Sequence, residues 1–448
     1  MNIKISLIGA GSGAFSLSLI RDLCLTVNLA GSTVSFMDTN PERLEGSYNL
    51  CRRYAEELGV QIRLEKTMDR QKCLDGADFV INTALAAGHH RLQAGWEIAR
   101  RCGYRWGGSL AIMHDEAFWI NFYQLRLFES LAEDILRICP NAWYLKVANP
   151  VLGGTTLLTR KYPSLKVTGI CHGFNGIYHV ASLMGLDGDG LTYEMPGVNH
   201  FIWLTKLFYK GEDVLPNFNR WVEEESEHYF KTCGMSDHMG PKPVDIYRRY
   251  GVVPIGDTAT VGGGAWGYWY HQDDETERNW QEDPQSWWNG HFRNVERTAR
   301  ENYRISQDPT AQMTIYLPPK KSGEQMMPLI ESIALDIPRT FLINIPNTGS
   351  YLPGVPTDFA VEVPVQASKH GLHGIQTDGL PPLVLQTLMR DRVVPWEIEL
   401  EAYQRGSRKH LEELVGLDPW TRSLQQARQF VGDILTMPFH EEMKKHYV

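Results

Sequence analysis

The first fourteen residues constrain this chain more than any other stretch. Ile3 to Ile8 is a short apolar run and Ala14 to Val27 carries a helical pattern, with Gly9-Ala10-Gly11-Ser12-Gly13-Ala14 between them. Strand, glycine turn and helix in this order fit G-x-G-x-x-A. One glycine makes the tight turn, the next admits a close ligand, and the last small residue lets helix pack on strand. The helix start offers unpaired backbone N–H groups, which favour a pyrophosphate. Asp38 closes a second apolar run, Thr33 to Met37. A carboxylate there accepts hydrogen bonds from ribose hydroxyls and repels a 2′-phosphate. NAD is therefore the expected cofactor, held by Gly9, Gly11, Ser12, Gly13 and Asp38. The plainer alternative is a tight turn in an unrelated α/β fold.

The pattern then repeats. A helix opens at Pro41 and runs to Leu58, strands read at Asp78 to Thr83 and Trp143 to Val147, and a long helix spans about Glu116 to Ile138. Val167 to Cys171 reads as another strand. Strands alternating with helices mean parallel βαβ units and a doubly wound sheet. Beyond about Leu191 the texture changes. Phe201 to Phe208 looks like one hairpin arm turning at Lys210-Gly211, and Val252 to Trp288 reads as a long functional loop region. Ser322 and Gln325 fit a capping box, strands follow at Thr340 to Asn344 and Phe359 to Val363, and Pro382 to Thr436 is mainly helical. The expected organisation is an N-terminal Rossmann-like domain over residues 1–190 and an α+β domain over 191–448 for substrate, metal and oligomerisation.

Composition excludes several classes. With 43% apolar and 22% charged residues among 448, the chain reads as a soluble globular protein. A net charge of -9 argues against nucleic-acid binding, which needs a basic face. Seven cysteines without a Cys-x-x-Cys pair disfavour a disulfide framework or zinc ribbon. No run is long enough to span a membrane, and glycines at 9, 11 and 13 cut short any leader-like segment. The expected setting is the cytoplasm.

Five further motifs occur in order: Asn149-Pro150, Cys171-His172-Gly173, Asn199-His200, Asn344-Ile345-Pro346-Asn347-Thr348-Gly349 and Val361-Glu362-Val363-Pro364. With Ile8-Gly9-Ala10-Gly11-Ser12 they resemble the signature series of glycoside hydrolase family four, an NAD-dependent family outside the two-carboxylate glycosidases. The resemblance covers nearly the whole chain and implies a fold like that of lactate and malate dehydrogenases. It implies that Cys171 and His200 hold Mn2+ or another divalent metal, and that Asn149 and Asn199 contact the sugar. Residue chemistry is compatible, since one thiolate and one imidazole leave coordination positions open. Taken alone, Cys171 would be a small buried hydrophobe and His200 a structural histidine.

Cys-His-Gly resembles the members acting on α-galacturonides and α-glucuronides, with α-galacturonide first. His172 is the candidate proton donor, with a structural histidine as its alternative. A uronate calls for an arginine, and Arg91, Arg293 and Arg297 are candidates. Asp257, in Gly256-Asp257-Thr258, resembles the family segment carrying a proposed base; Tyr268 and Tyr270, beside His271, are the next candidates. Met113 to Trp119 departs from the glycine-rich family pattern. The implied route is NAD-dependent oxidation at C3, deprotonation at C2, elimination of the aglycone and addition of water. A homodimer or homotetramer acting on a small sugar or pectin-derived oligosaccharide follows by resemblance. The competing readings are a 2-hydroxy-acid dehydrogenase and a non-catalytic NAD-sensing protein.

Overall fold

The computed structural model describes residues 3–105, 117–260 and 268–448. The motif segment at 113–116 and the glycine-rich stretch 261–267 lie outside them. The fold starts with six strands: β1 (Lys4–Ile8), β2 (Thr33–Met37), β3 (Arg63–Thr67), β4 (Phe79–Asn82), β5 (Trp143–Lys146) and β6 (Val167–Gly169). They pair in parallel in the order β6-β5-β4-β1-β2-β3. Five of them, β1, β2, β4, β5 and β6, are mainly apolar and almost wholly buried. Parallel strands covered on both faces are expected to show that pattern. β3, at the sheet edge, is half exposed and charged, and the sequence periodicity does not mark it as a strand.

Helices join these strands with conventional punctuation. Pro41–Leu58 begins with proline in its first turn, is capped by the Asn40 side chain on the Arg43 N–H at 2.9 Å, and stops at Gly59 in the left-handed conformation. Phe118–Ile138 buries its apolar face beside the sheet.

The later strands are β7 (Leu191–Glu194), β8 (Gly197–Val198), β9 (Phe201–Leu204), β10 (Lys206–Tyr209), β11 (Glu212–Asp213), β12 (Val253–Ile255), β13 (Arg339–Pro346), β14 (Ala360–Ser368) and β15 (Gly371–Gly374). β13 joins β6 antiparallel, with Asn344 opposite Gly169, and β14, β8, β9 and β12 follow in turn. Among the described residues one twelve-stranded sheet results, parallel at its N-terminal end and antiparallel beyond, while β7, β10 and β11 form a separate small sheet.

Three local expectations change. Phe201 to Phe208 is not one arm: β9 stays in the large sheet and β10 enters the small one, though the hairpin turns at Lys210-Gly211 as expected. Every residue of β9 is buried, whereas β10 is half-buried except at Leu207, in keeping with strands that belong to two different sheets. Ser322 caps no helix. It donates to Asp22 instead, Gln325 bonds the backbone of Leu342, and the helix runs Met326–Leu335. The Val252 to Trp288 region contains β12, the helix Asp274–Asn279 and the start of the 24-residue helix Pro284–Gln307.

The main core extends from Ile5 and Phe36 through Trp119 to Trp396 and Phe430, spanning both halves of the chain. A second apolar cluster, including Phe174, Ile202, Phe218 and Val253, lies under the small sheet.

Candidate active site

The parallel register aligns strand ends. Ile8 lies opposite both Met37 and Asn82, and Lys146 opposite Asn82 and Gly169. Gly9, Asp38, Thr83 and Asn149 thus emerge at the carboxyl ends of neighbouring strands, where α/β sheets bind ligands. A cleft of about 1580 Å³ opens there, lined by Gly9, Gly11, Ser12, Gly13, Asp38 and, from the opposite side, Trp287, His291 and Asn302 of Pro284–Gln307.

The turn is shaped for close approach. Gly9 has φ +85°, and a Cβ on it would sit 2.5 Å from the Ala84 nitrogen; on Gly11 it would meet the Asp38 carboxylate at 2.6 Å. Asp38 accepts the Gly11 N–H at 2.8 Å and the Asn40 N–H at 2.9 Å, so its carboxylate faces the turn. Ser12, exposed, begins the helix Gly13–Cys24 without a side-chain cap. The first-turn N–H groups therefore remain directed toward the cleft. These features suit a pyrophosphate and a ribose diol.

A second constellation forms where the sheet turns antiparallel. Cys171 follows β6 by two residues and is a partly buried free thiol. The turn Gly173–Asn175 packs on the turn Gly256–Ala259, so tightly that a Cβ on Gly256 would lie 2.5 Å from the Gly173 carbonyl oxygen. Asp257 thereby sits beside the Cys171 segment. Its Oδ2 is 3.5 Å from His200 Nε2, the histidine side chain being 9% exposed and the carboxylate 32%. His200 occupies the turn between β8 and β9 with φ +58°, a conformation rare for residues other than glycine. Among the described residues no three His, Cys, Asp or Glu side chains cluster as a metal cage. A thiol and an imidazole are donors suited to a borderline divalent cation with open positions, and the Asp257 carboxylate stands beside the imidazole.

The remaining candidates separate. His172 projects outward, 72% exposed, its Nδ1 4.0 Å from Glu324 Oε1. Burial raises the Glu324 carboxyl above its usual range, with the charge of Asp22 adding to that and His172 opposing it. Glu324 escapes sequence reasoning because it lies in a stretch that resembles a helix cap. Asn149 is partly exposed, and its carbonyl accepts from Gln124 at 2.8 Å. The buried Lys146 donates to the carbonyls of Ala148 and Pro150 and lies over the Phe128 ring, fixing the same turn.

Asn199 is the other residue expected to contact the sugar. It is fully buried and its amide donates to Glu362 at 3.0 Å. Tyr270 is also buried, its hydroxyl donating to Asp245 at 2.6 Å. Burial, reinforced by that carboxylate, pushes its phenol well up. His271 is enclosed with Lys242, and burial lowers its pKa well below the usual range. Tyr268 opens the short turn Tyr268–Tyr270; its side chain is not among those described. Arg293 and Arg297 are exposed on Pro284–Gln307 and do not line the cleft, because the helix presents its other face there. Arg91 is partly buried, its guanidinium 4.9 Å from the Tyr123 ring centre and 5.3 Å from that of Phe439.

Parallel strands with a glycine turn and a cleft at their carboxyl ends define a Rossmann-like α/β protein, and comparison makes the class specific. The family 4 glycosyl hydrolase model matches residues 4–185, and that family's C-terminal domain matches 195–421. The chain belongs to glycosyl hydrolase family 4 and is a glycosidase. It is 27% identical to an alpha-glucosidase of Erwinia rhapontici over 91% of this chain and 92% of that one. An alpha-galacturonidase of Lachnoclostridium phytofermentans is 21% identical over 97% and 95%. The match to an alpha-galactosidase of Bacillus subtilis, at 29%, spans only 50% of this chain and 52% of that protein.

Among solved structures, lplD of Bacillus subtilis superposes with TM-score 0.81 at 21% identity, covering 97% of this chain and all of that one. A 6-phospho-alpha-glucosidase from gut microorganisms, in complex with NAD and Mn2+, superposes with TM-score 0.76 at 17% identity, covering 100% and 99%. Lactate dehydrogenase of Eimeria maxima does so at 0.52 and 15%, covering 91% and 96%. The fold is the expected Rossmann-like α/β architecture. No helix among the described residues is long and apolar enough to cross a membrane.

Proposed function

We propose that this glycosidase cleaves α-linked uronic acids, α-galacturonides first and α-glucuronides second, using NAD and a divalent cation of the manganese type. The observation that carries the reading is the corner where Asp257 faces His200 on turns packed against the Cys171 segment. Relatives named for alpha-galacturonidase activity support the substrate class, and so does Cys171-His172-Gly173. Like Arg293 and Arg297, the partly buried Arg91 is not among the residues lining the cleft, so the geometry singles out none of the three for the uronate carboxylate.

In this reading the Gly9–Gly13 turn and Asp38 hold the dinucleotide, and Cys171 and His200 hold the cation. When bound, NAD supplies a reversible hydride acceptor for the sugar's C3 and the cation supplies Lewis acidity to its oxygens. Asn149 orients the sugar ring. Asp257, already positioned at the imidazole edge, takes the proton from C2. His172, projecting from the same segment as Cys171, gives a proton to the glycosidic oxygen as the aglycone leaves. Pro284–Gln307 closes the far wall of the cleft and limits water. A homodimer or homotetramer is the assembly proposed.

The test is an aryl α-galacturonide assayed with and without Mn2+ and NAD, in deuterated water. Cleavage that needs both additions, with deuterium appearing at C2, is expected. Cleavage of a neutral α-glucoside or α-galactoside in preference would overturn the substrate. Net NADH formation from a hydroxy acid would overturn the reaction.

A further inference from the structure

Glu362 is a fully buried carboxylate on β14 that no step of the proposed chemistry uses. It stands where the sheet crosses from β13 to β8, opposite Asn344 on one side and Gly197 on the other. Its Oε2 accepts two amides at once, Asn199 Nδ2 at 3.0 Å and Asn344 Nδ2 at 3.1 Å. Asn344 is itself anchored, its amide directed at the Gly169 carbonyl at 3.4 Å and its own carbonyl accepting the Thr168 hydroxyl at 2.9 Å. Thr168 and Gly169 end the strand that leads to Cys171. One carboxylate oxygen therefore connects the segments carrying both candidate metal ligands.

The connection matters because His200 follows Asn199 directly and is held at φ +58°. A non-glycine residue persists there only where its surroundings over-determine it. The surroundings do so from three sides. Glu362 grips Asn199, the Arg392 guanidinium lies 3.4 Å from the His200 carbonyl and 5.1 Å from the Phe201 ring, and the Thr258 hydroxyl accepts the Ile202 N–H at 2.9 Å. Arg392 comes from Met389–Val393, a π-helical turn inside a longer helix, and such turns are frequent at functional sites.

We infer that Glu362 is a positioning residue for the metal site: through Asn199 and Asn344 it sets the spacing of His200 and Cys171 before any cation arrives. The inference rests on the metal reading above. It acts through hydrogen-bond geometry, since the carboxylate oxygen and the carbonyl oxygen of a glutamine can each accept both amides. Residues that orient first ligands commonly change metal affinity by about 10- to 100-fold when altered.

The experiment measures Mn2+ affinity of the full-length protein by calorimetry, with NAD affinity and thermal unfolding recorded in parallel. Wild type should bind Mn2+ and Cys171→Ser should not; if wild type fails to bind, the metal reading falls and the inference with it. Given binding, Glu362→Asp, which keeps the charge but withdraws it from the amides, should weaken Mn2+ about tenfold. Glu362→Gln should stay within about threefold of wild type, and both should bind NAD normally. Wild-type Mn2+ affinity in Glu362→Asp would overturn the inference while leaving the metal reading intact. A loss in Glu362→Gln as large as that in Glu362→Asp would show that the accepting oxygen's position is not what sets the site, and would overturn it as well. Parallel loss of NAD binding would mark a general packing defect and would likewise overturn it.

Discussion

At the dinucleotide end, the glycine turn from Gly9 to Gly13 and the uncapped start of its helix present backbone to the cleft, and Asp38 faces that turn. At the other end, Cys171, His200 and Asp257 present side chains from three segments, joined by the packing of Gly173 on Gly256 and by the Glu362 bridge. The first region depends on glycines that keep atoms out of the way. The second depends on buried polar groups that hold atoms in place. Damage should differ accordingly: cofactor affinity at one end, chemistry at the other.

The largest break expected is Cys171→Ser, which should lower kcat/KM by about a thousandfold, close to 4 kcal/mol of transition-state stabilisation. NAD binding, followed by nicotinamide-dependent quenching of tryptophan fluorescence, should not move; if it falls too, the two regions are not separable. Asp257→Asn comes next, with kcat down about a hundredfold as expected for loss of a general base. Mn2+ affinity should hold near the wild-type value, and deuterium exchange at C2 should disappear. Exchange at an undiminished rate would remove Asp257 from that role.

Gly11→Val addresses the other end. Its Cβ would meet Asp38 Oδ2 at 2.6 Å, so the carboxylate or the turn must shift. Overpacking of this kind costs about 1–3 kcal/mol, and NAD affinity should drop roughly tenfold to a hundredfold while Mn2+ binding is retained.

The smallest effect concerns pH. His271 is fully buried beside Lys242 and its folded pKa lies well below 6.5, burial first and the Lys242 and Arg105 charges after it. The unfolded chain then binds a proton that the folded chain refuses. Stability is fully present above pH 6.5 and declines as pH falls below it, by up to about 1.4 kcal/mol per pH unit until the folded pKa is reached. His89 and His440, both lowered to about 4 mainly by burial, act in the same direction between pH 6.5 and 4. Urea unfolding between pH 7 and 5 measures the slope, and His271→Gln should flatten it. An unchanged slope would show that His271 is charged in the fold.

Much of the dinucleotide end is legible in residue order, because a strand, a glycine turn, a helix and a carboxylate are all local signals. Most helix limits are near those expected, as with Pro41–Leu58, where proline, an asparagine cap and a terminal glycine all mark the ends. β3 is not legible, since an edge strand with charged exposed residues has no apolar run to reveal it. At the other end the motifs around Cys171, Asn199-His200 and Asp257 stand out as family signatures, but their roles do not follow from their letters. Asn199 reads like a sugar ligand and proves to be buried against Glu362. Tyr270 reads like a base and proves to be committed to Asp245. Glu324 and Lys146 carry no signal at all, because a lone Glu or Lys is ordinarily a solvated surface residue.

What the sequence by itself determined is the α/β class, the glycine turn that admits a dinucleotide, and the family to which the chain belongs. These rest on periodicity and on short ordered motifs, which neighbouring residues enforce. Only the tertiary structure decided which polar side chains face the cleft and which serve beneath it. That choice depends on partners more than a hundred residues away, such as Glu362 for Asn199, and a buried polar group goes wherever its hydrogen bonds can be completed.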